Sequence, residues 1–293
     1  MKKKVSGIFA PITTPFINDE LSIEHLRENI QRYKETPLHG FFVLGSNGEN
    51  KSLTDDEKLR ILEVVIKEKA EHQLVMAGTA FESTGRTIAF SKRAAELGAD
   101  FVSVITPSYF KKRLTDAAVA GYYLDVAEEL SIPLLVYNAP GFTGMTVSFR
   151  VIGQISRHPN IIGMKDTSPG NMSGYLDACD EDFHILSGTV STLFPAMTLG
   201  ASGGVVSLAN AFPVPCCELF ERFKAGDMDG AREFHYKLFR LNRSVSGSFG
   251  VAGVKYAMEL GGYFGGNPRL PLLPLKDTDR KLIKDAIKEA GLL

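Results

Sequence analysis

Ile161-Ile162-Gly163-Met164-Lys165-Asp166-Thr167-Ser168 is the stretch on which the fold turns. Its apolar start has the character of a short buried strand, and Lys165 places an ammonium where that strand leaves the core. Lysine is strongly hydrated and is rarely buried without a partner or a purpose. Two readings follow. Lys165 either ends a strand with its head in solvent, or it sits where water is excluded, the charged form is disfavoured and a neutral amine able to attack a ketone exists near neutral pH.

On either side of this stretch the chain alternates short β-rich runs with longer amphipathic ones. Strands are expected at 7–10, 40–45, 74–78, 101–105, 133–137, 161–165, 184–186 and 204–207. Between them, Ser22 is a plausible cap for a helix over 21–36, Thr54-Asp55-Asp56-Glu57 is a capping box, Gly98 stops a helix over 83–97, and helices follow over 115–130, from Ser148 to near Pro159, over 172–179 and over 193–199. Continuous apolar strands are buried on both faces, and strand–helix alternation requires right-handed crossovers and a parallel sheet. Eight such units are what a closed (β/α)8 TIM barrel needs. A doubly wound open sheet is the alternative, but no GxGxxG follows the first strand. Residues 1–225 are therefore taken as the barrel. Residues 226–293, with helices over 231–242, 251–260 and 277–290, are taken as a C-terminal helical extension packed on it.

The 293 residues are 44% hydrophobic and 23% charged, the make-up of a soluble globular α/β protein. A formal net charge of -1 gives no bulk attraction to nucleic acid or an anionic membrane. The Lys2-Lys3-Lys4 opening does not lead into a signal peptide, because Gly7 and Pro11 interrupt the apolar run after it. The expected location is the cytoplasm. Cys179, Cys216 and Cys217 fit neither a disulfide framework nor a metal knuckle, and the six histidines form no ligand spacing, so no metal is expected.

In a parallel barrel the chemistry lies at the carboxyl ends of the strands. Strand two is followed by Gly45-Ser46-Asn47-Gly48-Glu49-Asn50, a turn that suits a carboxylate through backbone N–H groups and the Ser46 and Asn47 side chains. Strand four is followed by Thr106-Pro107-Ser108-Tyr109, and strand five ends in Tyr137-Asn138-Ala139-Pro140. Gly188-Thr189 after strand seven and Ser207 in strand eight add small polar groups. A phenol beside an amine supplies the proton transfers that carbinolamine dehydration and C–C cleavage require.

These motifs, with Gly163-Met164-Lys165-Asp166-Thr167 and Arg269-Leu270-Pro271-Leu272, resemble the dihydrodipicolinate synthase/N-acetylneuraminate lyase family from about Gly7 to Leu275. The resemblance implies a class I aldolase-type barrel in which a lysine forms a Schiff base with pyruvate or another 2-oxo acid, without a separate cofactor. It implies Lys165 as that lysine and Tyr137 as the proton shuttle. It also implies Ser46, Asn47 and Gly48 around the substrate carboxylate, Thr167, Gly188 and Ser207 in the binding site, and Tyr109 as a tyrosine offered to a neighbouring subunit. A homo-oligomer, commonly a tetramer of two tight dimers, goes with that last role.

The branch is set by departures from the family. Lysine-pathway synthases carry an arginine where Phe142 stands, and a phenyl ring has no bidentate grip on a carboxylate. Sialic acid lyases carry an acidic pair where this chain has Val190 and Ser191. The leading expectation is a lyase or aldolase for 2-keto-3-deoxy sugar acids or 4-hydroxy-2-oxo acids, with Phe142 as an apolar wall and a 2-oxo acid and an aldehyde as small-molecule partners. Lysine-pathway synthase, with Lys112 or Arg113 as substitute cation, and N-acetylneuraminate lyase are the enzyme alternatives. A 2-oxo acid sensor without turnover is the other.

Overall fold

The computed structural model describes residues 5–293, so the Lys2-Lys3-Lys4 run lies outside the described residues. Eight parallel strands close into a barrel in chain order: β1 (Gly7–Ala10), β2 (Gly40–Val43), β3 (Leu74–Gly78), β4 (Phe101–Ile105), β5 (Leu134–Asn138), β6 (Ile161–Asp166), β7 (His184–Ser187) and β8 (Gly203–Val205). β8 pairs back onto β1 through Gly7 and Gly203, which closes the sheet and leaves no free edge. Strand residues alternate between two cores. Phe9, Phe42, Met76, Phe101, Leu135, Leu186 and Val205 fill the barrel interior, whereas Phe41, Val43, Val102, Val104, Leu134 and Val136 face the helices. Burial on both faces is why the strands read as unbroken apolar runs.

The helices around the barrel are α1 (Ile23–Lys34), α2 (Asp55–Glu68), α3 (Thr84–Leu97), α4 (Asp116–Glu128), α5 (Phe149–Ile155), α6 (Met172–Ala178), α7 (Val190–Leu199) and α8 (Pro213–Lys224). The expected caps are in place. Ser22 accepts from His25 N, the Thr54–Glu57 capping box is complete and Ser148 caps its helix; Ser83 and Thr115, not singled out as caps from sequence, cap theirs as well, at ~1 kcal/mol apiece. Gly98 ends α3 at a φ of 102°, a conformation that glycine adopts without a Cβ penalty.

One local reading needs correction, and one helix is an addition to the elements expected from sequence. Ser207 does not lie in the eighth strand: pairing ends at Val205, and Ser207–Asn210 forms a 3-10 turn, with the Val206 carbonyl accepting from Ala209 N. Helix α8 begins with Pro213 and Pro215, whose missing N–H groups belong to the first turn, where no intrahelical acceptor exists.

After α8 come α9 (Met228–Asn242), α10 (Ser248–Leu260) and α11 (Asp277–Glu289). Leu238, Leu241, Val254, Ala257, Met258, Ile283 and Ile287 belong to the same apolar cluster as the outward-facing residues of the first half of the barrel. The segment between α10 and α11 returns across the carboxyl-end face. There the Arg269 guanidinium bonds Glu57 at 2.8 Å and the carbonyls of Ser52 and Asp19. Among the described residues no helix is long and apolar enough to cross a membrane.

Candidate active site

Lys165 reaches the barrel interior through an irregularity in β6. Ile161 lies opposite Leu134 and Gly163 opposite Leu135, so Ile162 is an extra residue and the strand shifts phase there. Ile161 faces the helices. Simple alternation from it would send Lys165 the same way; after the shift Met164 faces outward and Lys165 inward, opposite Tyr137. Lys165 is 4% exposed, with Nζ 4.3 Å from the centre of the Tyr137 ring and 4.9 Å from that of Phe42. Phe42 meets Tyr137 edge to face, which fixes the phenol.

The Tyr137 hydroxyl lies 3.4 Å from Ser46 Oγ, at the turn after β2. That turn is flanked by two non-glycine residues in the left-handed region, Leu44 at φ 61° and Glu49 at φ 53°, the kind of strain found where a fold over-determines a site. Gly45 is required there: a Cβ would fall 2.7 Å from the Phe42 ring. The N–H groups of Gly48 and Glu49 close the turn on the carbonyls of Gly45 and Ser46, which leaves the Ser46 and Asn47 amides outside the turn's own hydrogen bonds. Asn47 Nδ2 donates to Ser207 Oγ at 2.7 Å, so the turns after β2 and β8 are joined.

Beneath the turn is a buried charged pair. Glu49 Oε1 lies 2.6 Å from Lys255 Nζ of α10, while its other oxygen accepts from Arg269 N at 2.8 Å. Lys255 also donates to the Asn267 carbonyl. Burial pushes the Lys255 amine below its usual range, and the Glu49 carboxylate opposes that shift. Sequence reasoning quoted Glu49 within its motif without a role and passed over Lys255. The available signal was a lone cation among Val254, Ala257 and Met258 on an apolar helix face.

A second network holds the end of β6. Asp166 Oδ1 accepts from Asn138 Nδ2 and from the N–H and hydroxyl of Ser168, and Asn138 Nδ2 also bonds the Tyr175 hydroxyl. Burial raises the Asp166 carboxyl above its ordinary range, against these donors. Thr167 Oγ1 donates to the Asn138 carbonyl, and Gly188 N donates to the Asp166 carbonyl at 2.7 Å. Gly188 permits that close approach, since a Cβ would fall 2.2 Å from Thr167 Cγ2.

A cavity of about 220 Å³ opens at the carboxyl ends of β2 to β5, lined by Phe42, Ser46, Lys51, Ser103, Tyr137, Phe142 and Leu272 among others. Of the residues expected from sequence, Ser46, Tyr137 and Phe142 line it; Lys165 is not among the lining residues, and its Nζ lies against the Phe42 and Tyr137 rings that are. Phe142, 69% exposed, is at its rim. Asn47 and Ser207 lie beside it as a bonded pair, whereas Thr167 lines a separate cavity with Asp166 and Thr189. Tyr109 is 80% exposed and stacks edge to face on Phe110. Lys112 and Arg113 are in an exposed 3-10 turn and do not line the cavity. Among the described residues no group of three His, Cys, Asp or Glu side chains is placed to hold a metal.

The chain that carries these groups, an amine against the Tyr137 ring and a serine hydroxyl beside the phenol, is similar to known proteins throughout its length. The dihydrodipicolinate synthetase family matches residues 4–290. A 4-hydroxy-tetrahydrodipicolinate synthase of Methanospirillum hungatei is 33% identical over 287 residues, 96% of this chain and 98% of that protein. Among solved structures, a dihydrodipicolinate synthase of Thermotoga maritima superposes with a TM-score of 0.93 at 28% identity, covering 98% of this chain and 99% of that one. YagE of E. coli K12, a member of the same family solved in complex with pyruvate, gives 0.92 at 25% identity and covers 98% of this chain and 99% of its own.

Proposed function

Since this chain belongs to the dihydrodipicolinate synthetase family, whose members are lyases of the class I aldolase type acting on pyruvate, we propose that it forms a Schiff base between Lys165 and a pyruvate-type 2-oxo acid. The observation that carries the proposal is the Lys165–Tyr137 juxtaposition on neighbouring strands, with Ser46 in contact with the phenol. The Lys165 amine attacks the C2 ketone, and the carbinolamine loses water to give an iminium. Tyr137, exchanging protons with Ser46 and the substrate, supplies the proton that leaves with that water. The iminium then accepts the electron pair of the C3–C4 bond as the C4 hydroxyl gives up its proton. An aldehyde departs, the enamine is protonated at C3, and hydrolysis returns pyruvate and the free amine.

The carboxylate of the 2-oxo acid is assigned to the turn of Ser46, Asn47 and Gly48, with Ser207, Thr167 and Gly188 supporting the neighbouring strand ends. No cofactor enters beyond the covalent bond to Lys165. Residues 226–293 are read as an extension of the barrel, supported by the apolar cluster they share with it. A cytoplasmic homo-oligomer is part of the proposal, with exposed Tyr109 and Phe110 as its contact. Because one structural neighbour is described as a monomeric dihydrodipicolinate synthase variant, oligomer size is a separate measurement, by sedimentation.

The preferred reaction is aldol cleavage or condensation of a 4-hydroxy-2-oxo or 2-keto-3-deoxy acid. A second reading, 4-hydroxy-tetrahydrodipicolinate synthase, is favoured by the names of relatives about one-third identical to this chain and disfavoured by Phe142 at the cavity rim. Incubation with pyruvate and borohydride tests the common step: a reduced adduct on Lys165 is expected, and an unmodified lysine at saturating pyruvate overturns it. Pyruvate release from a panel of hydroxy-oxo acids, compared with condensation of pyruvate and aspartate semialdehyde, decides between the two reactions.

A further inference from the structure

Two polar groups on the cavity wall are not used by the fold. Ser103 is 1% exposed, and its hydroxyl has no hydrogen-bond partner among the described residues, a buried polar group that a ligand in the cavity would answer. Lys51, an exposed residue of the 3-10 turn Asn50–Ser52, lines the same cavity at its open side, and among the described residues no carboxylate lies within ion-pair distance of its ammonium. Burial lowers the Lys51 amine from its usual range, with Glu82 opposing the shift and Lys58 adding to it. Ser46, Asn47 and Ser207, by contrast, are all engaged in side-chain hydrogen bonds.

Lys51 and Ser103 lie on one side of the barrel mouth. Lys51 follows β2, Ser103 is in β4, and between them β3 contributes Gly78, paired with Ser103. A Cβ on Gly78 would fall 2.4 Å from the Leu44 carbonyl, so β3 places no side chain there. Beside the apolar Phe42, Ala80, Ile105 and Phe142, the lining includes Asn50, Ser52 and Glu49, whose carboxylate is already taken up by Lys255 and the Arg269 N–H, so the charge left unanswered at the wall is that of Lys51.

We propose that the β2–β4 side of the cavity is an anion subsite, in which the Lys51 ammonium and the Ser103 hydroxyl hold a second negative group at the far end of the substrate. This rests on the Schiff-base reading above and narrows it to 2-oxo acids with an anionic tail. It also answers what replaces the arginine missing at Phe142: a cation from the opposite turn.

The test compares kcat/KM for pyruvate release from three 4-hydroxy-2-oxo acids that share the reacting head and end in a carboxylate, a phosphate or a methyl group. The wild type is expected to prefer an anionic tail, and the first two arms identify which one. Lys51→Met is expected to lower kcat/KM for the preferred anionic substrate by about tenfold to a hundredfold, mostly through KM, and for the methyl substrate by less than about threefold. Lys51→Arg restores most of the loss, and Ser103→Ala moves the ratio in the same direction by a smaller factor. A wild-type preference for the methyl tail, or an equal fall on all three substrates in Lys51→Met, overturns the subsite. Borohydride trapping of pyruvate alone separates the two claims: labelling of Lys165 without tail discrimination removes only the subsite, and absence of labelling removes both.

Discussion

Lys255 Nζ lies 2.6 Å from Glu49 Oε1, and neither side chain is open to solvent. The pair joins α10 of the C-terminal extension to the turn that carries Ser46 and Asn47. A buried ion pair is weak evidence for added stability, because desolvation offsets much of the attraction; losing one partner is costly because the other charge is left buried alone. Glu49→Gln and Lys255→Met are each expected to lower the unfolding free energy by about 3–5 kcal/mol. The double substitution is expected to cost less than the sum of the two. Urea denaturation of the three variants checks this, and strict additivity contradicts it.

Lys165 makes no ion pair among the described residues and touches mainly aromatic rings, so the fold depends little on its charge. Lys165→Ala is expected to keep the barrel, with a change in unfolding free energy of less than about 2 kcal/mol, while turnover and borohydride trapping vanish. Circular dichroism and denaturation alongside mass spectrometry read both. An unfolded variant would mean that the lysine is structural.

Tyr137→Phe retains the ring that packs on Phe42 and removes only the hydroxyl 3.4 Å from Ser46. kcat is expected to fall by about 10²–10⁴ with little change in thermal stability, as for loss of a general acid–base group. Ser46→Ala, which leaves the phenol in place, is expected to have a smaller effect on kcat and a larger one on the KM for the 2-oxo acid. Steady-state kinetics with both variants separates these roles.

Glu57 ties α2 to the returning segment through Arg269, and that guanidinium, with the Thr54 N–H, holds the carboxyl down from 4.5 to about 2. A carboxyl depressed in the folded state stabilises at pH values above the unfolded pKa. The contribution is therefore complete above about 4.5 and is lost as pH falls toward 2. The stability difference between wild type and Glu57→Gln is expected to be largest near neutrality and to shrink through that window. Denaturant midpoints from pH 3 to 7 measure it, and a difference that grows on acidification contradicts the assignment.

Burial holds His39 and His235 below their ordinary value of 6.5, Glu221 partly opposing this for His39. Groups kept neutral in the folded state stabilise at pH values above the unfolded pKa and cease to do so as pH falls through the folded one. Wild-type stability is accordingly expected to decline below about pH 6.5, before the Glu57 window opens. His39→Asn is expected to flatten that first decline in a thermal-melt series across pH.

The strand–helix order, the caps at Ser22, Thr54 and Ser148, and the clustering of polar motifs at strand ends were all legible from the chain, because each depends on neighbours within a few residues. Lys165 and Tyr137 were legible as polar ends of apolar runs, while the roles proposed for them came with the family resemblance. What the linear pattern did not carry was the direction in which Lys165 points. Counting from Ile161 sends it outward, and only the extra residue at Ile162, set by pairing with β5, turns it into the barrel. Glu49 with Lys255, and Ser103 with Lys51, were invisible for a related reason. Whether a charge or hydroxyl is paired depends on residues far away in sequence that tertiary packing brings within 3 Å or leaves out of reach. The sequence alone determined the barrel and the kind of reaction it resembles; the tertiary structure decided which polar groups the fold consumes and which it leaves facing the cavity.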